Sequence, residues 1–258
     1  MLIKAAINGS RTRAEHPAIP VTPEQEAREA SLAIAAGAGA IHVHVRNAAE
    51  RESFAPEDVA RTLEAIRASC PSIPVGISTG AWIVPDVSQR LSLVRAWDVL
   101  PDFASVNVHE DGSLKLIRLL LDRGIGVEAG VWNVRSAEAL LSGGLANECL
   151  RILIEPAEDM GDAIANLEQI EPTLGRIGRP RLLHGVGASA WQLIEIAARR
   201  NYDTRIGFED TLTLPDGSQA ENNGALVAAA MRIVAQVAPG REPGMQVNPL
   251  FESSFPPE

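Results

Sequence analysis

Two histidines and an arginine alternate with apolar residues in the stretch AIHVHVR, at positions 40–46. Side chains of a β-strand point alternately to the two sides of the sheet, so His42, His44 and Arg46 share one face and the intervening valines share the other. Imidazoles two positions apart lie roughly 7 Å apart along a strand, close enough for both to bind one ion. The pattern favours a metal site over its alternative, a pair of hydrogen-bonded core or loop histidines.

A second motif, RIGFED at positions 205–210, offers a third ligand and a base. Catalytic zinc sites have three protein ligands and an open position. Glu209 is expected to point into the same mouth as Arg205, which makes it the predicted third ligand. Asp210 would lie near the ion without binding it, and a carboxylate beside Arg205 and a metal stays ionised. Asp210 is therefore interpreted either as a general base or as a cap of the following loop.

The elements that position these residues are short β-branched segments alternating with segments of helical periodicity. This alternation is typical of βαβ units. Thr22 and Pro23, with Gln25 as the closing residue of a capping box, predict one helix start, and Pro56 predicts another. Eight strands and about eight helices predict a (β/α)₈ TIM barrel, with a doubly wound open sheet as the alternative. The predicted strands are Ile3–Ile7, Ala40–Val45, Pro74–Ser78, Phe103–Val108, Gly126–Val131, Cys149–Ile154, Arg181–His184 and Arg205–Phe208.

Composition limits the possible classes of protein. The chain has 258 residues, of which 46% are hydrophobic, and neither a linker nor a low-complexity tract divides it. One domain over residues 1–258 is predicted, with a Pro-rich C-terminal arm at 239–258 that packs on a neighbouring subunit. A net charge of -10 argues against nucleic-acid binding. The apolar runs are too short for a membrane span, and the first residues predict a strand rather than a signal peptide.

Cysteine and lysine usage narrows the chemistry further. Cys70 and Cys149 show neither disulfide nor metal spacing, which predicts a reduced, cytoplasmic protein. A Schiff-base aldolase needs a lysine in the barrel mouth. Lys4 is predicted at the opposite end of strand 1 and Lys115 in a helix, so that class is excluded.

Polar residues concentrate where the predicted strands end, which is where TIM barrels place catalytic groups. His109 and His184 are interpreted as hydrogen-bonding or substrate-contacting residues rather than metal ligands. Gly185 and Gly187 precede a helix and predict either a phosphate- or CoA-binding turn or a plain tight turn. The substrate-binding candidates are Arg11 after strand 1, Ser78, Thr79 and Gly80 after strand 3, Ser105 and Asn107 on strand 4, and Glu128 on strand 5.

Several motifs together resemble the β-keto acid cleavage enzymes, the group of 3-keto-5-aminohexanoate cleavage enzyme. The motifs run in order from strand 1 to the final helix: AAINGSRTRAEHPAIPVTPEQ, AGAGAIHVHVR, GISTG, ASVN, GVGASAW, RIGFEDT and AENNGALV. The resemblance implies a zinc-dependent TIM barrel that forms a homo-oligomer, usually a tetramer. It also implies a retro-Claisen type exchange in which a β-keto acid and acetyl-CoA give acetoacetate and a new acyl-CoA.

The resemblance assigns roles by position. It implies that His42, His44 and Glu209 bind Zn²⁺. It further implies that Asp210, held by Arg205, is the base that starts the reaction. The residues expected to hold the substrate carboxylate, or to lie near it, are Ser78, Thr79, Gly80, Ser105 and Asn107.

The loop after strand 1 departs from the pattern of the family. The member that acts on an amino-bearing substrate has an acidic residue there, whereas this chain has Ser10 and Arg11. The resemblance therefore implies a neutral or anionic β-keto acid rather than a cationic one.

Two other functions fit parts of the sequence. A metal-dependent hydrolase of the amidohydrolase kind also uses an HxH motif, but on strand 1 and with further histidines on later strands. A non-catalytic barrel that binds a small acid would have neither a metal nor turnover. Metal analysis and a β-keto acid panel separate these hypotheses.

Overall fold

The computed structural model describes residues 1–156 and 162–239, in which eight parallel strands close into a barrel in chain order. The TIM barrel predicted from the sequence is confirmed, and the open-sheet alternative is wrong. The strands are β1 (Ile3–Ala6), β2 (Ala40–Val43), β3 (Val75–Ser78), β4 (Phe103–Asn107), β5 (Gly126–Val131), β6 (Arg151–Ile154), β7 (Arg181–Leu183) and β8 (Asp203–Ile206). The helices are α1 (Pro23–Ala35), α2 (Pro56–Ser69), α3 (Val87–Arg95), α4 (Ser113–Asp122), α5 (Val134–Ser142), α6 (Ala163–Leu174), α7 (Ala190–Arg200) and α8 (Asn223–Val237).

All eight predicted strands are present, with ends that differ by at most two residues. β2 ends at Val43 rather than Val45, because the backbone of His44 is bonded by a side chain, that of Asn8, instead of by a neighbouring strand. β8 lies at Asp203–Ile206 rather than Arg205–Phe208. The residues that follow it turn away from the sheet, which ends the ladder early.

The barrel interior is layered from an apolar floor to a polar mouth. At the amino-terminal ends of the strands, Leu2, Ala40, Phe103 and Leu150 form a buried apolar cluster. The register pairs Lys4 with both Ala40 and Arg205, and Ala6 with His42, so these residues alternate along the interior face. Ionisable side chains therefore fill the barrel above the floor, while valine and isoleucine on the outer face pack under the helices.

The start of α1 follows the predicted capping pattern closely. The Thr22 hydroxyl accepts a hydrogen bond from the Gln25 backbone N–H, and Pro23 occupies the first turn. The Gln25 side chain accepts from Val21 N at 3.0 Å, one residue before the position that the capping box predicts. None of the helices in the described ranges has the length and hydropathy needed to cross a bilayer. Beyond Pro239, the predicted C-terminal arm lies outside the described residues.

Candidate metal centre and active site

His42, His44 and Glu209 meet at the mouth of the barrel, with one ligand atom of each within 4.8 Å of the others. Nε2 of His42 lies 3.5 Å from Oε2 of Glu209, and Nε2 of His44 lies 3.4 Å from Oε1. Two ligand atoms about 2.1 Å from a tetrahedral zinc ion are roughly 3.4 Å apart. Each histidine nitrogen thus lies at the spacing of two zinc ligands from one oxygen of Glu209.

The hydrogen bonding of this cluster is incomplete in a way that a cation would complete. Oε2 of Glu209 is buried and has no hydrogen-bond partner among the described residues. A buried carboxylate oxygen without a partner is costly, because it has lost its hydration. Two imidazole nitrogens and one carboxylate, with a fourth position open, form a typical donor set for catalytic zinc. The residues present thus fit a divalent metal.

The charge states of the three side chains also fit a bound divalent metal. Burial holds the pKa of His42 well below its usual value, so this imidazole is neutral and able to act as a ligand. Burial also disfavours a charge on His44, but Glu209 and Glu52 outweigh it and raise the pKa of His44 to about 9. Burial would raise the pKa of Glu209, yet Arg205 and the two histidines hold it well below its usual value. A metal ion would replace the proton on His44 as the positive charge facing Glu209.

Glu52 and Trp82 surround His44 from the side away from Glu209. One carboxylate oxygen of Glu52 lies 2.5 Å from Nδ1 of His44. The indole N–H of Trp82 donates to Glu52 at 3.1 Å, and its ring stacks on the imidazole with centroids 6.0 Å apart. A carboxylate on the far nitrogen of a ligating histidine fixes its tautomer and ring orientation. Neither residue was predicted from the sequence; an isolated bridge between Arg46 and Glu52 after β2 brings Glu52 to the histidine.

Arg46 shares the inward face with the two histidines but binds backbone. Its guanidinium donates to the carbonyl oxygens of Gly9, Arg11 and Glu50. It therefore holds the loop after β1 against the loop after β2. Its place in the HxHxR motif follows from this anchoring rather than from contact with the metal cluster.

Asp210 is buried next to the metal cluster, and its two carboxylate oxygens differ. Oδ1 accepts from Nε and Nη2 of Arg205, at 3.1 and 2.6 Å. Oδ2 is buried without a hydrogen-bond partner among the described residues. Arg205 also lies 3.0 Å from Glu209, so it orients the ligand and the neighbouring acid together. One oxygen is fixed and the other is free to take a proton, which favours the general-base interpretation over a loop cap.

His184 lies between two acids below the mouth. Its Nε2 is 3.2 Å from Glu155 and its Nδ1 is 3.5 Å from Asp210. It lies outside the metal cluster found among the described residues, and its role as a hydrogen-bonding or substrate-contacting residue stays a prediction. His184 thus extends the polar chain from Asp210 to Glu155.

The candidates for carboxylate binding line the ends of β3 and β4. Ser78 pairs with Ser105 in the barrel register and is inward-facing, and its hydroxyl accepts a long bond from Gly80 N at 3.4 Å. Thr79 is buried and donates to the Ser105 carbonyl oxygen at 2.6 Å, which joins the two strand ends. The Asn107 amide donates to Glu110. Substrate binding by these five residues stays a prediction.

The structure separates Arg11 from Glu128. Arg11 lies over the metal cluster, with Nε 3.4 Å from the Glu209 carbonyl oxygen and a side chain that is 26% exposed. Glu128 instead lies deeper in the barrel, where its carboxylate pairs with Lys4 and lies 3.3 Å from Arg151. The structure therefore brings Arg11 to the mouth and does not bring Glu128 there.

Gly185 and Gly187 form a closely packed turn after β7 that is hydrogen-bonded to the backbone of Asp210. Gly187 adopts a positive φ of 62° and donates its N–H to the Asp210 carbonyl oxygen at 2.8 Å. A Cβ on Gly185 would lie 2.4 Å from the Ser189 hydroxyl, so the turn must pack closely. This geometry favours the tight-turn interpretation over the phosphate- or CoA-binding one.

We expect Glu209→Gln to bind zinc more than about 100-fold more weakly, since the neutral amide removes the only anionic ligand of the cluster. Zinc content after dialysis against a chelator measures the change. Glu64→Gln, an exposed glutamate on α2, is the matched control. Full zinc occupancy in Glu209→Gln would contradict the ligand assignment.

A closed (β/α)₈ barrel with a His-His-Glu cluster and an adjacent arginine-held aspartate is the architecture of a TIM-barrel enzyme with a candidate metal centre at its mouth. The sequence profile of the β-keto acid cleavage enzyme family, BKACE, matches residues 1–244. The chain therefore belongs to the β-keto acid cleavage enzymes, metal-dependent enzymes that cleave a carbon–carbon bond of their substrate.

Relatives with curated names agree with this assignment. The chain is 27% identical over 259 residues to a 3-keto-5-aminohexanoate cleavage enzyme of Fusobacterium nucleatum subsp. nucleatum, covering 94% of this chain and 93% of that protein. It is 41% identical over 80 residues to a 3-oxoadipate:acetyl-CoA acetyltransferase of Cupriavidus necator, or 31% of this chain and 28% of that protein. A binary complex of ObcA with oxaloacetate superposes with a TM-score of 0.67 at 17% identity, covering 92% of this chain and 67% of that one, which shows the shared fold.

Proposed function

We propose that this chain is a zinc-dependent enzyme that exchanges a neutral or anionic β-keto acid with acetyl-CoA, giving acetoacetate and an acyl-CoA. The observation that carries the proposal is the free Oδ2 of Asp210, held by Arg205 beside the His42, His44 and Glu209 cluster. The family supports β-keto acid cleavage, and the name of the Cupriavidus relative supports acetyl-CoA as the acceptor.

His42, His44 and Glu209 would hold the metal, and the donor set favours zinc. A bound zinc ion polarises the keto oxygen of the substrate and stabilises the negative charge that develops on it. The hydroxyl of Ser78 at the end of β3, with the backbone N–H of Thr79, would bind the substrate carboxylate, while the Thr79 hydroxyl donates to the Ser105 carbonyl oxygen. This arrangement would leave the C2 carbon of the β-keto acid facing Asp210.

The proton transfers in this reaction are assigned to one atom, Oδ2 of Asp210. Oδ2 takes a proton from C2, and C2 then forms a bond with the acetyl carbon while the CoA thiolate leaves. The thiolate adds to the original keto carbon, and the bond from that carbon to C2 breaks, which yields the new acyl-CoA. Oδ2 returns its proton to C2 of acetoacetate. Arg205 keeps the other oxygen of Asp210 fixed throughout.

The position of Arg11 supports a neutral or anionic side chain on the proposed substrate. Its guanidinium lies at the mouth with Glu15 as a partial counter-charge, its Nη1 being 3.1 Å from the Glu15 carboxylate. An ammonium group on the substrate would be repelled by a guanidinium in this place, whereas a second carboxylate would be attracted. Neutral and anionic side chains are therefore favoured over a cationic one.

The test is a panel of three β-keto acids, 3-oxohexanoate, 3-oxoadipate and 3-keto-5-aminohexanoate, incubated with acetyl-CoA and assayed for acetoacetate. We expect turnover of the neutral and anionic acids, and a kcat/KM at least 10-fold lower for the cationic one, from the loss of about 1.4 kcal/mol. Arg11→Gln is expected to lower kcat/KM for 3-oxoadipate about 10-fold and to leave 3-oxohexanoate unchanged. The absence of acetoacetate with every acid would overturn the proposal.

Family membership leaves no support for the amidohydrolase or the non-catalytic alternative. A homotetramer in the cytoplasm is part of the proposal. Both cysteines, Cys70 and Cys149, are buried thiols, which agrees with a reducing compartment. Light scattering on the purified full chain measures the oligomeric state.

A further inference from the structure

The backbone of the metal-binding residue His44 is held by a side chain from the neighbouring strand end. β2 ends one residue earlier, at Val43. The His44 N–H donates to Oδ1 of Asn8 at 2.8 Å, and the His44 carbonyl oxygen accepts from Nδ2 of Asn8 at 3.0 Å. The buried amide of Asn8 thus continues the β1–β2 ladder by one residue and fixes the position from which the imidazole projects.

The Asn8 amide is also anchored to a carboxylate on α1. Nδ2 of Asn8 also donates to Oε1 of Glu26 at 3.3 Å, and the other oxygen of Glu26 accepts from the Thr62 hydroxyl at 2.9 Å. All of these side chains are buried. Nδ2 faces Glu26 and the carbonyl oxygens of Pro20 and His44, so the NH₂ group must lie on that side and the amide oxygen must face the His44 N–H. A flipped amide would place two acceptors against each other.

A second carboxylate–amide pair repeats the arrangement on the other side of β1. Glu29, three residues further along α1, accepts from the backbone N–H of Asn223 at 3.0 Å and from its Nδ2 at 2.9 Å. The same Nδ2 donates to the Ile7 carbonyl oxygen, and Oδ1 of Asn223 accepts from Phe208 N at 2.8 Å. Phe208 directly precedes Glu209, so this pair fixes the segment that carries the acidic ligand.

Glu26 is poorly placed for stability alone. Burial raises its pKa to about 7, so holding it ionised inside the protein works against folding. An apolar side chain at the same place in α1 would avoid that desolvation. The anchoring of the Asn8 amide is therefore the better account of the presence of Glu26.

We propose that Glu26 and Glu29 are positioning residues that set the geometry of the metal centre from helix α1. They act through Asn8 and Asn223, which fix the chain segments on either side of β1 that present His44 and Glu209. The inference rests on the metal centre of the proposed function, and it adds an outer set of residues to which no catalytic role was assigned.

The test is Co²⁺ binding by the purified full chain, followed by visible absorption in competition with a chelator. We expect Glu26→Met to raise the Kd for Co²⁺ about 10-fold or more and to alter the cobalt spectrum, because the Asn8 amide loses its anchor on α1 and the His44 segment can shift with it. Glu26→Gln keeps an acceptor oxygen towards Asn8 and is expected to restore the Kd to within about 3-fold of the original. Ala33→Gly is the control, since it loosens the same buried helix without touching either amide.

The outcomes separate the inference from the function on which it rests. A folded Glu26→Met protein with an unchanged Kd and spectrum would overturn the inference, as would an equal loss of affinity in Ala33→Gly. Should Glu26→Met fail to fold, Glu29→Met and Glu29→Gln give the same comparison in the other pair. Failure of both Met variants to fold would show a structural role and overturn it too. Failure of the unaltered chain to bind Co²⁺ would overturn the metal centre itself.

Discussion

Asp210→Asn is expected to lower kcat by about 10³-fold while zinc stays bound, which is the range for loss of a general base. An asparagine in this place keeps an oxygen for the two hydrogen bonds from Arg205 and puts its NH₂ group where Oδ2 lies. That group has no lone pair to accept a proton from C2 of the substrate. Glu209 and the histidines are unchanged, so the metal ligands remain.

The measurement is acetoacetate formation at saturating substrate, together with zinc content of the same preparation. Asp216→Asn is the matched control, because Asp216 is an exposed aspartate in the loop that follows Asp210. We expect the control to keep its kcat. A kcat for Asp210→Asn within about 3-fold of the original would remove Asp210 as the base and would direct attention to Glu155, which lies beyond His184.

The metal cluster could be predicted because it depends on alternation and on strand order. Alternation places His42 and His44 on one face of β2. In a closed barrel β1 lies between β2 and β8, so residues at the ends of β2 and β8 are separated by one strand although they are far apart in the chain. Once the number of strands predicts closure, Glu209 becomes a neighbour of the histidines.

The depth of a residue along the barrel axis could not be predicted from the sequence in the same way. Alternation correctly places Glu128 on the inner face of β5, but the register pairs it with Ser105 and Arg151, in the layer above the apolar floor. Register depends on the stagger of all eight strands, which no local pattern in the sequence reports. A substrate contact by Glu128 stays a prediction, on a carboxylate that already pairs with Lys4.

The supporting acids could not be predicted for another reason. Glu26 lies in the first turn of α1, where acidic residues are common at the surface because they complement the helix dipole. Its burial results from the packing of α1 against α2, which brings Thr62 to it. Glu52 likewise reaches His44 only through the hairpin after β2. Contacts between separate elements decide these roles.

A layer of buried ion pairs lies under the metal centre, and breaking it is expected to lower the stability of the fold. Lys4 is buried and pairs with Glu128, which also lies 3.3 Å from Arg151, and Arg151 reaches Asp203 at 3.2 Å. Burial lowers the pKa of Lys4 to about 8, against the opposing attraction of Glu128. The layer is thus held by pairing: each charge is tolerated in the barrel because an opposite charge faces it.

We expect Lys4→Met to lower the free energy of unfolding by about 3–5 kcal/mol, the usual cost of leaving one partner of a buried ion pair. Urea unfolding of the full chain at pH 7 measures it. Lys4→Met combined with Glu128→Gln should be less destabilised than Lys4→Met alone. The double variant leaves no carboxylate without its lysine partner, and Arg151 still pairs with Asp203. If the loss of unfolding free energy in the double variant equals the sum of the two single losses, this account is contradicted. Two charges in contact are expected to give an interaction free energy of about 0.5–3 kcal/mol.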